Sequence, residues 1–293
     1  MQQSGIPESE LVLNPDGSVY HLHLKGEQIA DQVLLVGDPG RVQLVASFFD
    51  SIEFEIQNRE FVTVTGTYGG KRFTVLSTGI GTDNIDIVIN ELDAAINVDP
   101  DSRTPIPTRR TLNIVRIGTS GGLHHDIPVD SFVLSSYGLG LDGLLYYYKY
   151  NYSDNEIDIS EKINQHLNWN PDLAKPYIVS ADDELVKLLG TDMITGITAT
   201  ATGFYGPQGR KITLDLANQK MHDQFRSFNY HGLRISNFEM ETSAIYGLGK
   251  LLGHRCCTCC AIIANRVTGR YSKDYHVAIK DLIQLVLNRL ASQ

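Results

Sequence analysis

TLNIVRIGTSGG, residues 111–122, begins as a compact apolar run and ends in glycines and small hydroxyl side chains. An apolar run of this length bounded by turn residues fits a strand buried on both faces, as in sheets covered by helices on either side. Within the run sits Arg116. A guanidinium is costly to bury unpaired, so Arg116 must face an anion or a carboxylate. Similar strand-like runs occur as QVLLVG ending at Gly37, DSFVLSS, MITGITATA and the cysteine-bearing run that continues into AIIANR. EFVTVTGTYGGKRFTVLST reads as a hairpin around Gly69 and Gly70. Helical patterns fall between the strands. One begins in VQLVASFF, and another follows GIGTDN with Ile85, Val88, Ile89, Leu92 and Ala95 on one face. Others span Glu161 to Leu167 and Asp182 to Leu189, and one starts near Glu239 and closes at Leu251 and Leu252. The tail HVAIKDLIQLVLNRLAS is a helix with Val277, Leu282, Val286 and Leu290 inward. This alternation predicts an α/β fold with a mixed or mainly parallel sheet and helices on both sides. Polar and glycine-rich residues gather after several strand ends, where open α/β sheets place their ligand crevice.

The 293 residues suit one large α/β domain or two small ones. The excess of 34 acidic over 25 basic side chains, a formal charge of -9, disfavours nucleic acid as a partner but not small anions held by local arginines. No apolar run reaches membrane-spanning length and no opening segment reads as a signal peptide, so a cytoplasmic location is expected. All 4 cysteines lie in CCTCC, Cys256 to Cys260, and read as reduced core residues rather than a zinc or redox site, which would want a second ligand pair. The first 30 residues read as an extension or arm, with VYHLHL a short alternating segment, and residues 31–293 as the main domain. NVDPDSRTPIPTRR, residues 97–110, reads as a surface loop. The tyrosine-rich stretch from Tyr137 onward fits either a substrate lid or packed aromatics.

Five short stretches can carry chemistry. GDPGR supplies Gly37 and Arg41, whose backbone and guanidinium suit an anion; neither the P-loop nor the dinucleotide glycine spacing is present. RIGTSGG adds Arg116 and Thr119, and NREF adds Arg59 beside Glu60. FYGPQGR offers Phe204 to stack on a flat ring, Gln208 as donor and acceptor, and Arg210 to stabilise charge developing on a ring carbonyl. NFEMETSA places Glu239 and Glu241 around Met240. One such carboxylate can take both hydroxyls of a ribose-like diol; equally, acids at this point fit a helix N-terminus.

Taken in order, GDPGRV, NREF, STGIG, RIGTSGG, FYGPQGR, NFEMETSA and ANR resemble the nucleoside phosphorylase family, and especially its uridine phosphorylase branch, from about Tyr20 to the C-terminus. The resemblance implies a single-domain three-layer fold with a central mixed sheet. It implies that Gly37, Arg41, Arg116 and Thr119 hold phosphate, with Arg59 reaching the phosphate of a neighbouring subunit and His21 that neighbour's ribose 5′-hydroxyl. Glu241 would bind the ribose diol, with Met240 alongside and Glu239 in support; Phe204 would pack near the nucleoside, Gln208 and Arg210 would read the uracil edge, and Arg266 would orient the base pocket. Phosphate is then a co-substrate and no cofactor is needed. Glu60 matches a residue that helps hold a monovalent cation in some bacterial relatives, but GIGTDN lacks their serine, so no metal is assigned. The proline–glycine order before the base-reading glutamine is also reversed here.

The implied reaction is reversible: uridine, with deoxyuridine or thymidine as further substrates, plus phosphate gives uracil and the sugar 1-phosphate. Purine-cleaving relatives tend to carry an aspartate where this chain has Asn265 and Arg266. The rivals are a purine nucleoside phosphorylase, a phosphate-independent nucleosidase and, from another class, a non-catalytic nucleoside-binding protein. Sites shared between subunits imply at least a homodimer, with hexamers among bacterial relatives.

Overall fold

The computed structural model describes residues 5–293; residues 1–4 of the expected N-terminal extension lie outside the described residues. The chain opens with a turn in which Val19, Leu22 and Leu24 are buried. VYHLHL is therefore not a strand: His23 N–H donates to the Val19 carbonyl and Val19 N–H to that of Leu24. Next come β1 (Gln32–Val36), α1 (Pro39–Ala46), β2 (Ser51–Asn58), β3 (Phe61–Tyr68), β4 (Lys71–Ser77) and α2 (Thr82–Asn97). A two-stranded pair, β5 (Val98–Asp99) and β6 (Thr104–Pro105), ornaments the polar loop. Arg110 pins that loop through the Gly26 and Ile29 carbonyls and Asp31. The chain continues as β7 (Asn113–Gly122), β8 (Phe132–Gly140), α3 (Asp154–Leu167), β9 (Tyr177–Ser180), α4 (Asp183–Leu189) and β10 (Ile194–Thr200). It ends with α5 (Met221–Ser227), β11 (Asn229–Tyr230), β12 (Leu233–Glu239), α6 (Thr242–Leu251), β13 (Arg255–Asn265), β14 (Arg270–Tyr271) and α7 (Tyr275–Ala291).

The main sheet runs β11-β12-β10-β8-β13-β7-β1-β4-β3-β2. Strand β7 lies between β1 and β13 and is parallel to both. Its glycine end also meets β12 antiparallel, Gly121 opposite Phe238 and Gly122 opposite Asn237. Strands β7, β13, β8, β10 and β12 thus form a closed ring. Because successive strand side chains point to opposite faces, Val33 and Leu35 pack on the layer of α2 and α6. Leu34 and Val36 pack with α1 and α7 on the other face. Helices α3 and α5 cover β8, β10 and β12 through Ile159, Ile163 and Phe225. The architecture is the expected mixed sheet between helical layers.

Several expectations need correction in detail. Val277 is 58% exposed, while Ala278 and Ile279 turn inward one turn before Leu282; on a helix, position 277 lies well round from 282. Ile96, rather than half-buried Ala95, completes the buried face of α2. The helix expected from Glu239 begins at Thr242, because Glu239 ends β12 and Glu241 is the N-cap residue. The four cysteines are free and buried in the core, as expected. In the tyrosine-rich stretch the Tyr150 and Tyr152 rings meet at a tilt, 4.5 Å between centroids, and the Tyr148 hydroxyl donates to Asp86, while Tyr146 and Tyr147 are exposed. Among the described residues no helix is long and apolar enough to cross a membrane.

Candidate active site

At the ends of β1, β7, β10, β12 and β13 lies a cavity of about 510 Å³. It gathers residues from distant stretches of chain: Gly37, Arg41, Arg116, Thr119, Phe204, Gln208, Arg210, Glu239, Met240 and Glu241 all line it. Arg266 stands directly behind, its Nη2 donating to Gln208 Oε1 at 3.1 Å.

One wall is cationic. Asp38 caps α1 by accepting from Gly40 N–H, which sets the turn and brings Arg41 into the cavity wall. Arg41 spends one donor on the Ile117 carbonyl at 3.3 Å. Burial and the nearby Arg116 hold its pKa below the usual arginine value. Burial would lower Arg116 too, but the carboxylates of Glu241 and Glu239 outweigh it and raise that group overall. Arg116 pairs directly with Glu241, and Glu239 stands 3.6 Å away. Arg116 Nε finds no partner among the described residues. Gly118 permits this geometry, since a Cβ there would overlap the Arg116 guanidinium.

The two glutamates have separate tasks. Glu239, at the strand end, accepts from Glu241 N–H at 2.9 Å, from Thr242 N–H at 3.0 Å and from the Thr200 hydroxyl at 2.8 Å. It fastens the start of α6, and burial raises its carboxyl pKa despite Arg116. Glu241 accepts from Gly81 N–H at 2.8 Å and from Arg116. A carboxylate has about four lone-pair sites, so Glu241 keeps acceptor capacity for a vicinal diol.

The opposite end is built from a loop. Arg210 lies 3.6 Å from the Phe204 ring centroid and donates to Gln208 Oε1 at 2.7 Å. Burial and Arg266 lower its pKa to about 10. Two guanidiniums thus occupy the Gln208 amide oxygen, and among the described residues the amide nitrogen donates to no partner. Asn265 is engaged elsewhere, donating to the His124 and Ile127 carbonyls and accepting from Val267 and Thr268 N–H.

Besides Arg266, two expected residues lie outside this cavity. Arg59 is exposed on the β2–β3 turn, 5.6 Å over the Tyr20 ring. His21 donates Nδ1–H to Glu91 at 2.5 Å, and Asn58 ties the two regions by donating to the His21 carbonyl. Within one chain they form a separate surface group. The cavity also contains residues for which no site role was anticipated, including Ile80, Ser120, Phe238 and Tyr271. Ile80, Ser120 and Phe238 lie within STGIG, RIGTSGG and NFEMETSA, so those stretches pointed to the right place without assigning them a role; Tyr271 lies in none of the quoted stretches.

The description Phosphorylase superfamily fits residues 31–292. The chain belongs to this family and is a nucleoside phosphorylase, on the uridine phosphorylase branch. The uridine phosphorylase of Thermococcus kodakarensis is 30% identical over 264 residues, covering 88% of this chain and 81% of the relative. A solved Trypanosoma brucei nucleoside phosphorylase, described as showing uridine phosphorylase activity, matches with a TM-score of 0.88 and 28% identity over 97% of this chain and 100% of that one. A DeoD-type purine nucleoside phosphorylase of Colwellia psychrerythraea is 26% identical over 277 residues, 91% of this chain and 97% of the relative.

Proposed function

We propose that the protein catalyses reversible phosphorolysis of uridine, with deoxyuridine and thymidine as further substrates. The observation that carries this reading is the donor cluster at the base end: Arg210, Arg266 and the Gln208 amide converge beside an aromatic ring. Donors so placed suit the carbonyl oxygens of a uracil ring. Phosphate sits between Arg41, Arg116, Thr119 and the backbone of Gly37, beneath the sugar that Glu241 holds by its 2′- and 3′-hydroxyls. Met240 and Phe204 pack against the nucleoside. Glu239 acts by fixing the turn that presents Glu241. In this reading a second copy of the chain supplies Arg59 to the phosphate and His21 to the 5′-hydroxyl, so the minimal active unit is a homodimer. No cofactor takes part.

As the glycosidic bond breaks, C1′ becomes positive and the base negative. The phosphate dianion and Glu241 favour the cationic sugar, while Arg210 and Gln208 stabilise the departing base. Phosphate then captures C1′ from the face opposite the base, with inversion. Placement and oriented charge carry the rate, without a covalent enzyme intermediate.

The test is a panel of uridine, deoxyuridine, thymidine and inosine, with and without phosphate, following free base and sugar phosphate. Uridine should yield uracil and ribose 1-phosphate only when phosphate is present. Purine phosphorolysis is the second reading, favoured by the likeness to DeoD-type enzymes; inosine turned over faster than uridine would establish it. Base release without phosphate would indicate a nucleosidase, and binding without release a non-catalytic protein.

A further inference from the structure

We infer that His222 is a positioning residue that locks the base-reading loop to the fold and so sets the placement of Gln208 and Arg210; the inference rests on the base-binding role proposed above. The loop joins β10, ending at Thr200, to α5, starting at Met221. Much of it buries little: Ile212 is 71% and Leu214 82% exposed. Yet Gln208 is only 2% exposed. Its local bonds cannot explain that placement. Gln208 N–H and Arg210 N–H both donate to the Tyr205 carbonyl, and Gly209 N–H to that of Gly206, so these residues form one small unit that moves together.

Among the described residues, two hydrogen bonds of Gln208 tie this unit to the rest of the protein. One is the side-chain bond from Arg266 to Gln208. The other acts on the backbone: His222 Nε2 lies 2.8 Å from the Gln208 carbonyl oxygen. A carbonyl oxygen only accepts, so the imidazole must carry its proton on Nε2 there. His222 is itself held firmly, because Phe225 on the same short helix packs 5.1 Å from the ring of Phe238, which lines the cavity. The imidazole crosses the backbone at Gly209, which has φ of +67°, and a Cβ there would come within 2.7 Å of His222 Nε2. His222 is not among the residues lining the cavity. It acts through Gln208, and its influence should fall on the base end rather than on the Arg41 and Arg116 wall.

The experiment measures kcat, both KM values and Tm for the wild type, His222→Ala and His222→Gln. Losing this one hydrogen bond should raise the KM for uridine about fivefold to tenfold in His222→Ala. The KM for phosphate should stay within about twofold. His222→Gln, which keeps a donor of similar reach, should recover most of the loss. His222→Phe, which keeps a flat ring but offers no donor, should reproduce the same split and carries the test if His222→Ala fails to fold. An unchanged uridine KM overturns the proposal. So does a parallel rise in both KM values, or a glutamine variant as poor as alanine. If the wild type prefers inosine, the uridine reading fails but the same split measured with inosine still decides the role of His222.

Discussion

Arg41 and Arg116 line the same cavity with charges of one sign, and of the two only Arg116 forms ion pairs with carboxylates among the described residues, Asp38 acting on Arg41 without a direct contact. Burial and repulsion from Arg116 outweigh the attraction of Asp38 and hold the Arg41 pKa below the usual arginine value. A bound dianion relieves this. Phosphate at about 100 times its Kd should therefore stabilise the protein by about 2.7 kcal/mol, seen as a rise in Tm. Arg41→Ala should lose most of that rise while leaving the phosphate-free Tm nearly unchanged. An equal phosphate response in wild type and variant would remove Arg41 from the anion site. At the other end, Arg210 combines a stack on Phe204 with a bond to Gln208. A lysine cannot reproduce that planar fork. Arg210→Lys should lower kcat about 100-fold, in line with losing a donor to charge that develops in the transition state. A raised KM with an intact kcat would show that Arg210 only binds.

At the level of elements, β7 presents Arg116 and then, two residues on, removes the side chain that would block it. Gly118→Ala leaves a strand residue in a strand, so the sheet should form, but the guanidinium must leave its carboxylates. Phosphate KM should rise at least tenfold or so, since a buried charged partner is lost; steady-state kinetics at saturating uridine would read it. Such strands were legible beforehand because their apolar runs are nearly continuous, and α2 because its apolar residues recur at helical spacing. Strand β12 was not, and its interior explains why. Asn237 bonds to Thr198, Ser236 and Ser120 inside the closed ring, all nearly or fully buried. A strand whose inward face is a satisfied polar network carries no hydrophobic alternation to read. Helix α5 has only seven residues, too few for a periodic signal. The site divides in the same way. Arg41, Arg116, Gln208, Arg210 and Glu241 stand out by chemical type beside glycine-rich turns. His222 and Tyr271 depend on long-range packing that leaves no local mark.

Across the whole molecule, one buried carboxylate away from the cavity ties three elements together. Glu156 lies in the first turn of α3 and accepts from Ser153 N–H at 2.8 Å, from the N–H of Ser180 at the end of β9 at 2.9 Å, and from Lys250 Nζ of α6 at 2.9 Å. Burial would raise its pKa, but the Ser180 and Ser153 backbone bonds and Lys250 reverse the shift, to about 2 from an ordinary 4.5. The folded-state value is the lower one, so the unfolded chain binds the proton more readily. The resulting stability is complete above the unfolded pKa and disappears as pH falls from about 5 toward 2, an effect of roughly 3 kcal/mol by linkage. Glu156→Gln should therefore melt well below the wild type at pH 7. The gap should narrow as pH falls through this window, because the wild type surrenders what the variant never had. Thermal melts of both proteins at fixed ionic strength measure this directly. A gap that stays constant from pH 7 to pH 3 would mean that Glu156 stabilises the junction by shape and neutral hydrogen bonding rather than by its charge.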